Sequence, residues 1–158
     1  MDGAIQIARV FGIDIRVHIS WFFIFLLVTW SVAVGYLPFA LPGASSITYW
    51  LLGAAAAVLL FVSVLIHELS HSLVARSRGM GVHSITLFLF GGVSTIKGES
   101  ATAGDEFKIA FVGPLTSVAL AVVFFALAFF FNFGRAADAV LNYLWTINLG
   151  LAVFNLIP

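Results

Sequence analysis

The 158-residue chain contains no cysteine. That excludes a disulfide scaffold, thiolate metal ligands and a cysteine nucleophile. Charge is almost as scarce. Seven Lys and Arg balance seven Asp and Glu, together 9% of the residues, where a soluble domain carries about 25%. With no basic excess, nothing marks a nucleic-acid-binding surface, so nucleic acid is not an expected partner. No Asp, Glu, Lys or Arg at all stands between Arg16 and Glu68. Against these absences, 62% of the residues are hydrophobic and 15% aromatic, and mean hydropathy is +1.14. Such a chain cannot cover a water-facing surface, which rules out an ordinary soluble enzyme and points to a membrane protein.

The rare charges delimit the spans. Pro38, Pro42, Gly43 and Ser45-Ser46 break the first uncharged stretch, predicting one span from about His18 to Leu37 and another from about Tyr49 to Ala75. A third uncharged run lies between Lys108 and Arg135, and a fourth follows Asp138 to Pro158. Each supplies the ~20 apolar residues a helix needs to cross ~30 Å of hydrocarbon. Barrel strands would alternate apolar and polar residues, but Trp21–Val28 and Val122–Phe131 are apolar at nearly every position. The flanking Asp2, Arg9, Asp14 and Arg16, with the length of the run that follows, do not fit a secretory leader. Arg9, Arg16, Arg76, Arg78, Lys97 and Lys108 would all share the N-terminal side, leaving only Arg135 opposite. The bias predicts a cytoplasmic N-terminus in a multi-pass cell-membrane protein. Trp21, Trp30, Tyr36 and Trp50 fall near the span ends, as interfacial aromatics do. Between the second and third spans, Val82–Phe90 is rich in β-branched and aromatic residues. Gly91-Gly92 then suggests a turn, and Val93–Ile96 a returning strand. The expected fold class is therefore an all-α polytopic membrane protein, with four transmembrane helices and a small membrane-associated β-structure between the second and third.

The second span ends in H-E-x-x-H, at His67, Glu68 and His71. Positions i and i+4 share a helix face, so both imidazoles can reach one metal ion while Glu68 approaches the same site. The matching chemistry is a zinc ion on two histidines and a third group, with the glutamate as general base for a water molecule. The setting sharpens the reading, since a charge deep in a membrane helix costs about 2.5–3.5 kcal/mol and a divalent cation compensates it. Glu68 and His71 precede the interfacial Arg76 by eight and five residues, placing the site roughly 8–12 Å below the surface at 1.5 Å per residue. Two other readings are a proton relay or polar helix contact, and a non-catalytic metal-binding membrane regulator. A dedicated ion carrier is disfavoured because the other spans hold almost no ionisable groups to form a path.

Four further segments extend the pattern. F-G-I-D-I-R-V-H at 11–18, I-T-L-F-L-F-G-G-V at 85–93, E-F-K-I-A-F-V-G-P-L-T-S at 106–117 and F-N-L-I-P at 154–158 resemble the site-2 protease family of intramembrane zinc metalloproteases. The pattern is most like its bacterial and archaeal members. The resemblance implies zinc ligation by His67 and His71, general-base work by Glu68, and a role for Asn155 in holding or polarising the scissile carbonyl. It also implies a transmembrane protein substrate within the lipid bilayer. The family's third ligand is an Asp a few residues beyond the Pro matched by Pro158, so residues 1–158 are expected to form a metalloprotease core incomplete at the C-terminus. Such a core is expected to bind zinc weakly or not at all, and not to cleave. Asp138 is expected at the opposite membrane face. Glu99, Asp105 and Glu106 could reach the metal only if their loop folds back, and His18 and His83 read as interfacial. Lys97–Lys108 reads as a solvated loop, Gly113-Pro114 as a structural element, and Gly53 with Ala54–Ala57 as a packing face. Asn142, Thr146 and Asn148 are expected to hydrogen-bond to neighbouring helices.

Overall fold

Residues 3–89, 91–98 and 102–157 are described by the computed structural model. In chain order they form β1 (Ala4–Val10), β2 (Ile13–His18), α1 (Ser20–Trp30), a π-helical segment (Ser31–Tyr36) and α2 (Leu37–Ala40). The long helix α3 (Ser46–Ser77) follows, then β3 (Gly81–Phe88), β4 (Gly91–Lys97), α4 (Ala103–Phe130) and α5 (Arg135–Leu156). Four helical stretches, Ser20–Ala40, Ser46–Ser77, Ala103–Phe130 and Arg135–Leu156, are long and apolar enough to cross a membrane. Their outer faces expose Phe23, Leu26, Leu51, Val122, Phe129 and Phe130. On a water-soluble protein an apolar surface of this extent would mark a binding site; on spans it is what lipid requires.

The helical boundaries differ from the sequence expectation in ways that local chemistry explains. The first span starts at Ser20, because His18 is still the last residue of β2. It continues past Leu37, since Pro38 lies in the first turn of α2, where its missing N–H is not needed. The third span begins at Ala103, ahead of Lys108. Thr102 caps it by accepting from the Asp105 amide at 3.2 Å, and Asp105 and Glu106 sit in its first turn, where the helix dipole favours acidic groups. The expected loop is correspondingly shorter.

The β-structure is larger than the expected hairpin. Its four strands lie in the order β1-β2-β3-β4, with β1/β2 and β3/β4 antiparallel and β2/β3 parallel. The alternation I-D-I-R-V-H at 13–18 is a strand pattern. The turn before it is unusual, because Phe11 (φ +50°) and Gly12 (φ +78°) both take left-handed backbone between the paired Val10 and Ile13. Two positive φ values suit a tight hairpin, but Phe stands where Asn is usual. In the second hairpin, Phe88 pairs with Gly91, so the two glycines open β4 instead of making the turn. Phe90, assigned above to the first of these strands, lies outside the described residues.

Two buried clusters fix the frame. Ile13, Ile15, Val82 and Ile85 of the sheet pack with Ala75 on the C-terminal half of α3. At the other end, Val32, Leu37, Leu41 and Ala56 meet Ala139, Val140 and Leu144 of α5. Tyr36 Oη donates to the Ala139 carbonyl there at 3.0 Å, and Tyr49 Oη to that of Leu41 at 2.9 Å. Asn148 reaches across to Ser63 Oγ on α3 at 3.3 Å, a contact worth about 0.6 kcal/mol in membrane bundles. Asn142 and Thr146 do not behave as expected. Both bond carbonyls of their own helix, Asp138 and Asn142, one turn back.

Of the small residues on α3, Gly53, Ala56 and Ala57 are buried. A Cβ at Gly53 would lie 2.8 Å from the Thr29 carbonyl oxygen and 3.2 Å from Ala33 Cβ. Gly53→Val is therefore expected to destabilise the bundle by about 1–3 kcal/mol through overpacking, read by reversible unfolding in mixed micelles. An unchanged midpoint would mean the two helices are not in close contact.

Candidate metal centre

The stretch of α3 between the two clusters carries His67, Glu68 and His71. His67 is 2% exposed, while Glu68 and His71 are half-buried. One helical turn apart, the imidazoles face each other with their Nε2 atoms 3.1 Å apart and their rings at 73°. Each ring is held from behind by α4. His71 Nδ1 donates to the Ile109 carbonyl at 2.5 Å, and His67 Nδ1 lies 2.8 Å from Ser117 Oγ. A carbonyl can only accept, so Nδ1 of His71 carries the proton and its Nε2 presents a lone pair toward His67.

This donor set fits a zinc ion. Two nitrogens about 2.0–2.1 Å from a tetrahedral zinc sit about 3.3 Å apart, near the separation found here. Imidazoles whose far nitrogens hydrogen-bond to a carbonyl or hydroxyl are the usual oriented ligands. Gly113 leaves room beside both rings, since a Cβ there would lie 2.1 Å from His71 Nε2 and 2.7 Å from His67 Nε2. The Gly113-Pro114 pair is thus more than a helix-structural element, since its glycine borders both rings. Nothing in the sequence alone signals this contact, which depends on how α4 packs against α3.

Glu68 projects toward β4. Ser94 Oγ donates to its Oε2 at 3.3 Å and is itself 3.0 Å from the fully buried Ser72 Oγ. Gly92 passes so close that a Cβ there would fall on Glu68 Cγ. Asn155, exposed near the end of α5, faces a 160 Å³ cavity also lined by His67, Glu68, Gly91, Gly92 and Leu151. The Asn155 amide donates to the Leu151 carbonyl at 2.8 Å, which leaves its oxygen and second N–H directed away from that bond.

The other residues considered as ligands lie elsewhere. His18 Nδ1 accepts from Ser20, closing the start of α1. His83 and Glu106 are exposed. Asp105 pairs with Arg78 at 3.3 Å and Lys108 at 3.5 Å. Asp138 is in the first turn of α5, far along the chain from Asn155 at the opposite end of that helix. Glu99 and Pro158 lie outside the described residues. Among the described residues, no third His, Asp or Glu gathers with the histidine pair.

Fold and site together define a helical membrane protein that carries a metallopeptidase-type histidine pair and carboxylate inside its bundle. The profile of Peptidase family M50 matches residues 55–138, which take in most of α3, the β3–β4 hairpin and α4. The chain belongs to that family, the site-2 proteases, as its sequence resemblance implied. It is similar to Rip3 of Mycobacterium tuberculosis, named as a zinc metalloprotease, at 45% identity over 161 residues, covering 100% of this chain and 41% of that protein. It is also similar to the Synechocystis protein sll0528, similarly named, at 42% identity over 158 residues, covering 100% of this chain and 41% of the relative. The chain thus spans about two fifths of the length of these relatives. Among solved structures, the site-2 protease from Methanocaldococcus jannaschii superposes with a TM-score of 0.67 at 31% identity, over 98% of this chain and 65% of that one.

Gly113→Ala gives a sharp check. Alanine favours a helix by about 1 kcal/mol over glycine, so a purely structural glycine would tolerate the change. The contact with both imidazoles instead predicts a loss of at least about tenfold in zinc affinity in the full-length protein, with helix content retained. Zinc titration followed by circular dichroism measures both.

Proposed function

We propose that this chain forms the core of an intramembrane zinc metalloprotease that hydrolyses peptide bonds within or near transmembrane segments of membrane-protein substrates. The observation that carries this reading is the convergence of His67, Glu68 and Asn155 on one small cavity inside an apolar bundle. His67 and His71 would hold the zinc ion, with a third ligand from outside the described residues. A bound zinc supplies Lewis acidity toward the substrate carbonyl and toward water. Glu68 takes a proton from the attacking water as its oxygen bonds to the carbonyl carbon. It then delivers that proton to the amine nitrogen as the C–N bond breaks. Asn155 uses its free N–H to steady the carbonyl oxygen.

Substrate delivery follows from the surroundings. A helical segment hides its carbonyls in its own hydrogen bonds and must be unwound locally before attack. The resulting extended strand can add to the outer edge of β4, whose Gly91 and Gly92 border the cavity. Val64, Gly91, Leu151 and Phe154 also line an adjoining apolar cleft of 390 Å³ between α1, α3 and α5, suited to the side chains of a membrane-derived segment. The basic residues of the β-sheet and the adjacent helix ends favour placing this whole face at the cytoplasmic surface.

Glu68→Gln in the full-length protein is expected to keep zinc and lose cleavage of a single-span substrate in liposomes by about 10²–10⁴-fold. Undiminished turnover would remove the mechanism. Zinc binding without any wild-type cleavage would favour a metal-binding regulator. Asn155→Ala is expected to lower kcat by about 10²–10³-fold with zinc content unchanged, measured by steady-state cleavage and metal analysis.

A further inference from the structure

Ile109, Gly113 and Ser117 are spaced four residues apart on α4, and therefore share one face of that helix. All three meet the histidine pair. Ile109 offers its carbonyl to His71 Nδ1, Gly113 leaves the room between the rings, and Ser117 stands 2.8 Å from His67 Nδ1. The face is buried where it matters, with Ser117 at 0% exposure and Gly113 also buried. The two histidines receive different treatment. The partner of His71 is backbone and cannot be lost by substitution, whereas His67 meets the Ser117 hydroxyl at 2.8 Å as well as the Gly113 backbone.

We infer that this stripe of α4 is the orienting surface for the metal-binding histidines, and that Ser117 is the positioning residue for His67. The inference rests on the zinc reading proposed above. For His67 to offer Nε2 to a metal, its proton must sit on Nδ1, and that proton needs an acceptor. The Ser117 hydroxyl, 2.8 Å from Nδ1 and beside the Gly113 backbone that also bonds this ring, is the side-chain group placed to accept it. Without it, the imidazole loses its side-chain partner at Nδ1, and the tautomer that carries its proton on Nε2, the atom required for ligation, is less disfavoured. That change weakens binding without touching the metal itself. Ser117 has no contact with the cavity in front of Glu68, so its effect is on ligand geometry and not on substrate.

The test compares zinc affinity in the full-length protein for Ser117→Ala, Ser117→Thr and Ser117→Val. Thr and Val have nearly the same shape and differ in the hydroxyl, which separates hydrogen bonding from packing. Ala and Val are expected to bind zinc about 10–100-fold more weakly than wild type, and Thr to recover most of the loss. The visible absorption spectrum of the cobalt-substituted protein should shift in Ala and Val and remain near wild type in Thr. Elution profile and helix content after chelation report whether each variant is folded. If Val folds and binds zinc as tightly as Thr, Ser117 is not a positioning residue, although the zinc reading survives. If the unmodified protein takes up no zinc, both the metal reading and this inference fall. If Ala does not fold, the Thr–Val pair decides the question.

Discussion

The structure turns on the need to satisfy two imidazoles and a carboxylate inside an apolar bundle. Ionisable groups inside such a bundle are costly unless paired, and three neighbours of the HExxH segment answer that cost. The Ile109 carbonyl and the Ser117 hydroxyl take the rear nitrogens of the rings, and Ser94 takes an oxygen of Glu68. These partners come from two different elements, α4 and β4, so neither the third span nor the hairpin is a passive cover. Each closes one side of a site that α3 alone could not keep in hydrocarbon.

Two close approaches make this arrangement possible. At Gly113 the backbone of α4 comes up against both imidazoles, and at Gly92 the backbone of β4 comes up against Glu68. A methyl group at either position would displace the functional side chain beside it. The site is thus shaped as much by missing side chains as by those present. The cavity beside Gly92 and Glu68 is small, and its apolar neighbour shares four lining residues with it.

Much of this was legible in the sequence because lipid imposes simple rules. Long uncharged runs gave the spans, and the i, i+4 histidines gave a shared helix face. The readings that needed correction depended on local chemistry that averages hide. The N-terminal hairpin was hidden by a Phe-Gly turn, where Phe11 takes a backbone angle that Phe rarely adopts. The start of α4 depended on a Thr102 cap, with charges inside the helix that look like loop composition. The partners of Asn142 and Thr146 could not be told from those of Asn148, since all three sit on the same helix and only facing direction distinguishes them. Ser117 and Gly113 are ordinary residues in a membrane span until the packing of α4 on α3 is known.

The parallel pairing of β2 with β3 also constrains how the chain is threaded. Its two strands are separated by residues 19–80, which include the stretches Ser20–Ala40 and Ser46–Ser77. Strands can share a ladder only if both lie on the same side of the bilayer, so the intervening chain must make an even number of crossings. Two satisfies that parity, whereas one or three would strand the hairpins in separate compartments. It follows that the amino-terminal hairpin cannot join β3 during synthesis until the second crossing has returned the chain to its side.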